Sequence, residues 1–416
     1  MAVAFFAAAT IPRAVPAIII LAGSVGLAVL LIFWRAQLQA VMRTPAVIAI
    51  SLFAVYLFIN SMFALNPQAA LQKSLIFILL AAATFALVAY FIAARPASLR
   101  RVALFAVAGL LAGLGILLIE LVLDQPIWRF VHNNFPDLAG GSRKHVNEVD
   151  GKIVGAATYL TNRSAADVVM LFWPAILLAA ALPGVWRIAA RLALTALVVT
   201  CALISESQTS MVALGLGLII YAIARLSLTT VRWMVVSVWV AGLIFAIPLG
   251  AMPHKLGWTS LSWMSESAAA RFYIWSYTAD KALENPLTGI GVRGTRELQA
   301  TEGLKVKGSD GRRLQPRPGR HAHNAFLQIW LELGAVGAAL LLGLGLALLR
   351  HISRLPHESG AIGYALFTTI CGVAAFGFGI WQTWLLGAIA LSALGYLVGA
   401  ALDHDRLEAI PQGDKT

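Results

Sequence analysis

Two histidines and an asparagine sit together in Arg320-His321-Ala322-His323-Asn324, and the chain then runs without pause into an apolar helix through Gly334 and Gly337. A histidine at the mouth of an apolar helix is partly desolvated, so its imidazole can stay neutral and accept a proton near pH 7. His323 is therefore a candidate general base. Asn324 behind it could orient a substrate hydroxyl or the imidazole, and His321 reads as a second interfacial contact or a plain loop residue. Gly334 and Gly337 share a helix face and allow a neighbour to approach closely. Earlier in the same loop, Ala270-Arg271-Phe272-Tyr273-Ile274-Trp275 offers a fixed cation at a water boundary, a residue that also fits an anchor on lipid phosphate. The turn Glu284-Asn285-Pro286-Leu287-Thr288-Gly289-Ile290-Gly291-Val292 then returns the chain toward apolar sequence. A proton acceptor beside fixed guanidinium groups suits transfer from an anionic donor, whose charge arginine meets with bidentate hydrogen bonds.

The elements that must hold these residues are spanning helices. The 416-residue chain is 60% hydrophobic and 12% charged, outside the range of soluble domains. Uncharged runs long enough to cross about 30 Å of hydrocarbon recur throughout. They cover 14–34, 44–65, 74–94, 102–119, 168–186, 207–224 and 233–253. A shorter run, 192–205, spans if extended back through Arg191 and Arg187, and 323–349 spans despite Glu332. The stretch 359–402 holds two helices with a break near 379–382. An apolar piece at 2–11 stops at Pro12-Arg13 and is read as a twelfth crossing or re-entrant segment of the mature fold, since it lacks the layout of a secretory signal. The expected fold is thus an all-α integral membrane protein, a bundle of 11–12 transmembrane helices with a large outer loop containing short amphipathic helices. Its divisions are N-terminal spans over 1–253 with a first long loop at 124–164, the large loop at 254–322, C-terminal spans over 323–402 and a polar tail at 403–416. Cys201 and Cys371 both fall inside spans and read as packing residues.

Arg35, Arg43, Arg95, Arg100, Arg101, Arg187, Arg191, Arg225, Arg232, Arg350 and Arg354 occupy every second short connection, whereas the intervening short ones hold only Lys73. The positive-inside rule makes the arginine side cytoplasmic and puts both long connections outside. The large loop nevertheless carries eleven Lys and Arg against six Asp and Glu. That excess fits a surface facing anionic headgroups, or an anionic ligand such as phosphate or pyrophosphate. Trp258, Trp263, Tyr273 and Trp275 fit an aromatic belt.

His323-Asn324, nine residues, then Gly334 resembles the signature of the O-antigen ligase and polymerase superfamily, in which a His-Asn or His-Ser pair marks the helix after the large periplasmic loop. Arg271, an aromatic shortly after it, and Pro286-Leu287-x-Gly289-x-Gly291 resemble the family's second motif. Leu160-Thr161-Asn162-Arg163-Ser164-Ala165 is a weaker match, and there Arg163 also fits a helix-end anchor. One departure is Gln208, which stands where family members often carry an arginine. The resemblance implies a glycosyltransferase of the bacterial inner membrane that faces the periplasm. It would move a glycan from undecaprenyl pyrophosphate to lipid A-core during lipopolysaccharide synthesis. It also implies roles: His323 as base, Arg271 and Arg163 on the departing pyrophosphate, and His321, Asn324, Arg320 and Gln208 as substrate contacts, with Arg312, Arg313 and Arg317 joining Arg320 in an electrostatic rim. Direct attack would invert the anomeric centre.

No Asp-x-Asp stands in the outer loops and no His-rich or Cys-rich spacing occurs, so neither a metal nor another cofactor is expected. The expected partners are the lipid-linked donor, the lipid A-core acceptor and membrane lipids, with no nucleic acid. Two relatives stay open: an O-antigen polymerase, whose Arg, ten-residue, Gly pattern is matched once by Arg129 and Gly140, and a protein O-oligosaccharyltransferase. A lipid-linked glycan transporter is a different class, and it is disfavoured because the spans are nearly free of ionisable residues at mid-depth.

Overall fold

The computed structural model describes residues 1–135, 146–302 and 317–408. Among these the chain is almost wholly helical, as apolar sequence in hydrocarbon must be, because a helix satisfies its backbone groups internally. Among the described residues nine helices are long and apolar enough to cross a membrane, or up to eleven if each of two bent pairs counts as one span. The spanning set begins with α2 (Val15–Phe33), the bent pair α3 (Arg35–Met42) and α4 (Pro45–Ser61), α5 (Pro67–Ala93) and α6 (Pro96–Val122). It continues with α8 (Asn162–Leu178), α9 (Gly184–Ile204), α10 (Gln208–Leu226) and the bent pair α11 (Leu228–Ile244) and α12 (Ala246–Lys255). It closes with α15 (Ala325–Ile352), α16 (His357–Phe376) and α17 (Thr383–Glu408). The protein is a multi-pass helical membrane protein. Since successive spans alternate in direction, the arginines of the short connections gather at one end and both long connections at the other. At the arginine end Glu358 bridges Arg225 at 2.7 Å and Arg191 at 3.3 Å.

Helix α8 is the axis. Every residue from Ser164 to Leu178 is buried, against α6, α9, α10, α16 and α17. The run 168–186 therefore divides differently from the sequence expectation. The helix starts six residues earlier, taking in Arg163, and it ends before Pro183, which cannot continue it, so Trp186 belongs to α9. The apolar N-terminal piece is α1 (Ala2–Thr10), packed against α6 and α8 with Phe5, Ala8 and Ala9 fully buried. Nine residues reach only about 14 Å, half the hydrocarbon thickness, so α1 enters the bundle without crossing it. It emerges at a 3₁₀ turn, Pro12–Ala14, on the end that carries the long connections.

The connection after α6 forms the amphipathic helix α7 (Pro126–Asn134) and a hairpin of β1 (Val146–Val149) and β2 (Lys152–Ala156). Arg129 donates to the carbonyls of Val154 and Leu123, so it ties the hairpin to the membrane end of the loop, and Gly140 lies outside the described residues. The larger connection contains α13 (Glu266–Ala282) and α14 (Gly294–Thr301). Trp258 and Trp263 are exposed there, but Tyr273 is buried with its ring against His254, so it packs instead of joining a belt.

Candidate functional site

The site grows from a break in α15. At Gly334 the backbone takes φ 61° and ψ −162°, which is open to glycine and strained for any other residue. A break inside a helix strands carbonyls on one side and N–H groups on the other, and in an apolar surround each stranded group is costly. The Pro286–Val292 turn meets both sets. Ile290 and Gly291 donate to the carbonyls of Leu331 (3.0 Å) and Glu332 (2.8 Å), while Pro286 and Leu287 accept from Ala335 (2.8 Å) and Val336 (3.2 Å). A Cβ on Gly289 would fall on the Glu332 backbone, and one on Gly334 would fall on Leu287. The two glycine motifs of the sequence are thus the two halves of one joint. Asn60 of α4 clamps it by donating to Thr288 (2.8 Å) and accepting from Val292 (3.2 Å), and Tyr56 donates to Leu333 (2.7 Å).

The break leaves the Glu332 side chain, fully buried, pointing across the joint toward α14. Its Oε1 accepts from the Thr295 amide (3.1 Å), the Thr295 hydroxyl (2.5 Å) and the Gln328 amide (3.1 Å). Its Oε2 accepts from the Arg293 amide (2.9 Å) and from the Trp381 indole. Five donors and no acceptor make it an acceptor-only carboxylate. It caps the start of α14 and so sets the direction of Arg293 and Arg296.

Those two arginines, with Arg13, Lys73, Arg163 and Arg320, line a cavity of about 570 Å³ that also touches His321, Gln328, Glu332, Trp381 and Thr383. The break between α16 and α17 supplies one wall, where Lys73 donates to Thr383 at 3.3 Å and Ile380 donates to Gln328 at 3.3 Å. Six cations and a single acid in one cavity can hold a polyanion.

Beside this cavity the rings of His321 and His323 lie 4.0 Å apart. His323 has the left-handed backbone φ of 54°, uncommon outside glycine, and its Nδ1 lies 2.8 Å from the Gly377 carbonyl. A carbonyl only accepts, so Nδ1 carries the hydrogen and Nε2 keeps its lone pair. Burial, reinforced by the charge of Arg271 and opposed by the Gly377 hydrogen bond, holds the His323 pKa below the ordinary imidazole range. Burial, with the charges of His323 and Arg271, pushes that of His321 down to about 3. Both rings are neutral at physiological pH.

The residues singled out in the sequence divide as follows. Arg163, Arg320 and His321 line the cavity. His323 touches it through the ring of His321. Arg271 does not line it and acts on the histidine pair through its charge, its own pKa lowered by burial. Asn324 has its side-chain oxygen committed to capping α15, accepting from Phe326 (3.0 Å) and Leu327 (3.2 Å), so that oxygen does not orient a substrate. Gln208 is exposed at the start of α10 and away from the cavity lining. Arg312 and Arg313 fall outside the described residues. Sequence reasoning passed over Arg13, Lys73, Arg293, Arg296, Gln328 and Glu332. Lys73, alone in its set of short connections, and Glu332, the one acid in an apolar run, were the signals available.

Fold and site together define a class: a multi-pass helical membrane protein with a cationic cavity and a neutral histidine pair at the end of a broken span. The family model described as O-antigen ligase matches residues 193–342, from α9 through the joint in α15. Proteins provisionally named polysaccharide ligase are similar in Rickettsia conorii, at 29% identity over 235 residues and 56% of each chain. One in Rickettsia typhi is 32% identical over 184 residues, 44% of this chain and 45% of that protein. Over these residues the chain is similar to the O-antigen ligase superfamily. It spans about half the length of the curated relatives it matches.

Proposed function

We propose that the protein is an O-antigen ligase, a glycosyltransferase that moves a glycan from undecaprenyl pyrophosphate to lipid A-core on the periplasmic face of the bacterial inner membrane. The observation that carries this reading is the cavity itself, six cations beside a neutral histidine with a free Nε2. Its placement at the end of the bundle opposite the arginine-rich short connections supports a periplasmic site.

In this reading the acceptor hydroxyl gives its proton to His323 Nε2 as its oxygen attacks the anomeric carbon. The bond from that carbon to the diphosphate oxygen breaks, its electron pair leaves with the diphosphate, and the configuration inverts. Arg163, with Arg13 beside it and Arg320, meets the charge that develops on the leaving group. His321, held neutral, is a hydrogen-bonding contact for substrate. Burial keeps both imidazoles unprotonated, and Arg271 adds to it by repelling a second positive charge. Charge neutralisation by these side chains makes the reaction metal-independent.

The test is transfer from an undecaprenyl-pyrophosphate donor to purified lipid A-core in detergent with a chelator, for wild type and His323→Ala. Wild-type transfer that survives the chelator and is lost in the variant supports the reading. Elongation of donor alone would indicate a polymerase, and normal transfer by the variant would remove His323 from its role.

A further inference from the structure

We propose that the cavity binds two anionic groups at once, the diphosphate of the donor and a phosphate or carboxylate carried by a sugar of the acceptor. This rests on the ligase reading for the identity of the ligands, but the two-site geometry stands on the charges alone.

Five of the six cations fall into two groups, with Arg320 on the cavity wall outside both. Arg13, on the 3₁₀ turn after α1, and Arg163, in the first turn of α8, lie close enough for their charges to act on each other. Lys73 of α5 forms a second group with Arg293 and Arg296 of α14, whose charges act on it. Among the described residues no carboxylate lies within ion-pair distance of these three. Glu332 does not balance them by contact either, since all five of its donors are neutral N–H or O–H groups.

A diphosphate diester brings about two negative charges, too few for six cations. Like charges held together at a membrane surface repel, and a second anion relieves that repulsion. About 570 Å³ is ample for both groups, falling in the range of sites that enclose multi-ring ligands. The two groups approach from different elements, the first from the 3₁₀ turn and α8, the second from α5 and α14. Glu332 holds the two arginines of the second group from behind through the α14 backbone, so their guanidinium groups remain free to face a ligand.

The experiment uses full-length protein in nonionic detergent, titrated calorimetrically with inorganic pyrophosphate and with a hexose monophosphate. Wild type saturated with pyrophosphate is expected still to bind the hexose phosphate. Lys73→Met and Arg296→Gln should weaken hexose phosphate by about tenfold and leave pyrophosphate within about twofold, with Arg163→Gln doing the reverse. Arg296 is exposed, so its replacement leaves the packing intact. Competition of the two probes for one site, or equal loss of both in all three variants, overturns the proposal. In the transfer assay, Lys73→Met and Arg296→Gln should raise KM for a phosphorylated acceptor and leave donor KM unchanged. Wild type given a dephosphorylated acceptor should show the same raised KM. A rise in donor KM instead would assign the second anion to the donor glycan and overturn the acceptor assignment. Absence of any glycan transfer would remove the ligase reading and leave the calorimetric result to decide the two-site geometry by itself.

Discussion

Replacing Glu332 by glutamine changes one atom at the centre of the joint and leaves its shape almost untouched. The amide keeps one acceptor and turns the other into a donor. Facing its NH₂ toward the Oε2 position sets it against the Arg293 amide and the Trp381 indole, whereas facing it the other way opposes three donors. The first orientation loses least. Two buried donors left without an acceptor cost about 1–3 kcal/mol each, so the joint weakens by about 2–6 kcal/mol. The turn at 286–292 and the start of α14 would loosen together, because both are anchored across the break in α15. Arg293 and Arg296 would then leave the cavity wall. In detergent, Glu332→Gln should lower the unfolding midpoint, shift Trp381 fluorescence, and reduce glycan transfer well beyond what the stability loss explains. Thr295→Val provides a graded control. It removes one hydroxyl and keeps the amide contact, and should cost about 1 kcal/mol. Wild-type midpoint and transfer rate in Glu332→Gln would refute the view that this carboxylate holds the joint.

Other consequences can be measured with the same preparations. Loss of a positioned base predicts a fall of about 10²- to 10⁴-fold in transfer for His323→Ala with folding retained, and a smaller effect would argue for another base. Because burial depresses the His321 and His323 pKa values below the unfolded value of about 6.5, protonation favours the unfolded chain as pH drops beneath that point. Stability and activity should accordingly be level above it and decline below, the His321 contribution continuing toward pH about 3; a decline that begins above neutrality would contradict the assignment. Gly334→Ala forces a Cβ onto the Leu287 backbone at φ 61° and should cost roughly 3 kcal/mol or more, seen as loss of folded protein on size exclusion. Asn324→Ala removes a helix cap and should lower stability by about 1 kcal/mol while sparing KM, a split that a substrate contact would not produce.

Spans were legible because hydrocarbon leaves the chain little choice. An uncharged run of sufficient length must be a helix, and the alternation of Arg35, Arg95, Arg187, Arg225 and Arg350 with charge-poor turns orders the helices by direction. Breaks were less legible. The bend between α11 and α12 and the split at Pro183 fall inside apolar sequence, where composition is uniform and only packing decides where one helix stops. The nine-residue α1 shows the same limit, since hydropathy reports that a segment is buried and says nothing of how deep it goes.

Within the site, the histidine pair and the glycine turns could be read because their spacing is local, while the cavity could not, because its cations come from 3₁₀ turn, helix and loop segments hundreds of residues apart. Their common property was nevertheless visible one residue at a time. Lys73 is the one Lys or Arg of the short outer connections, Arg13 ends the first apolar segment, and Glu332 sits within an apolar run. Each charge is expensive beside hydrocarbon unless something answers it. Glu332 is answered by five donors, and the anion expected in the cavity answers the cations. For this chain, these three exceptions to hydropathy lie together on the wall of the cavity.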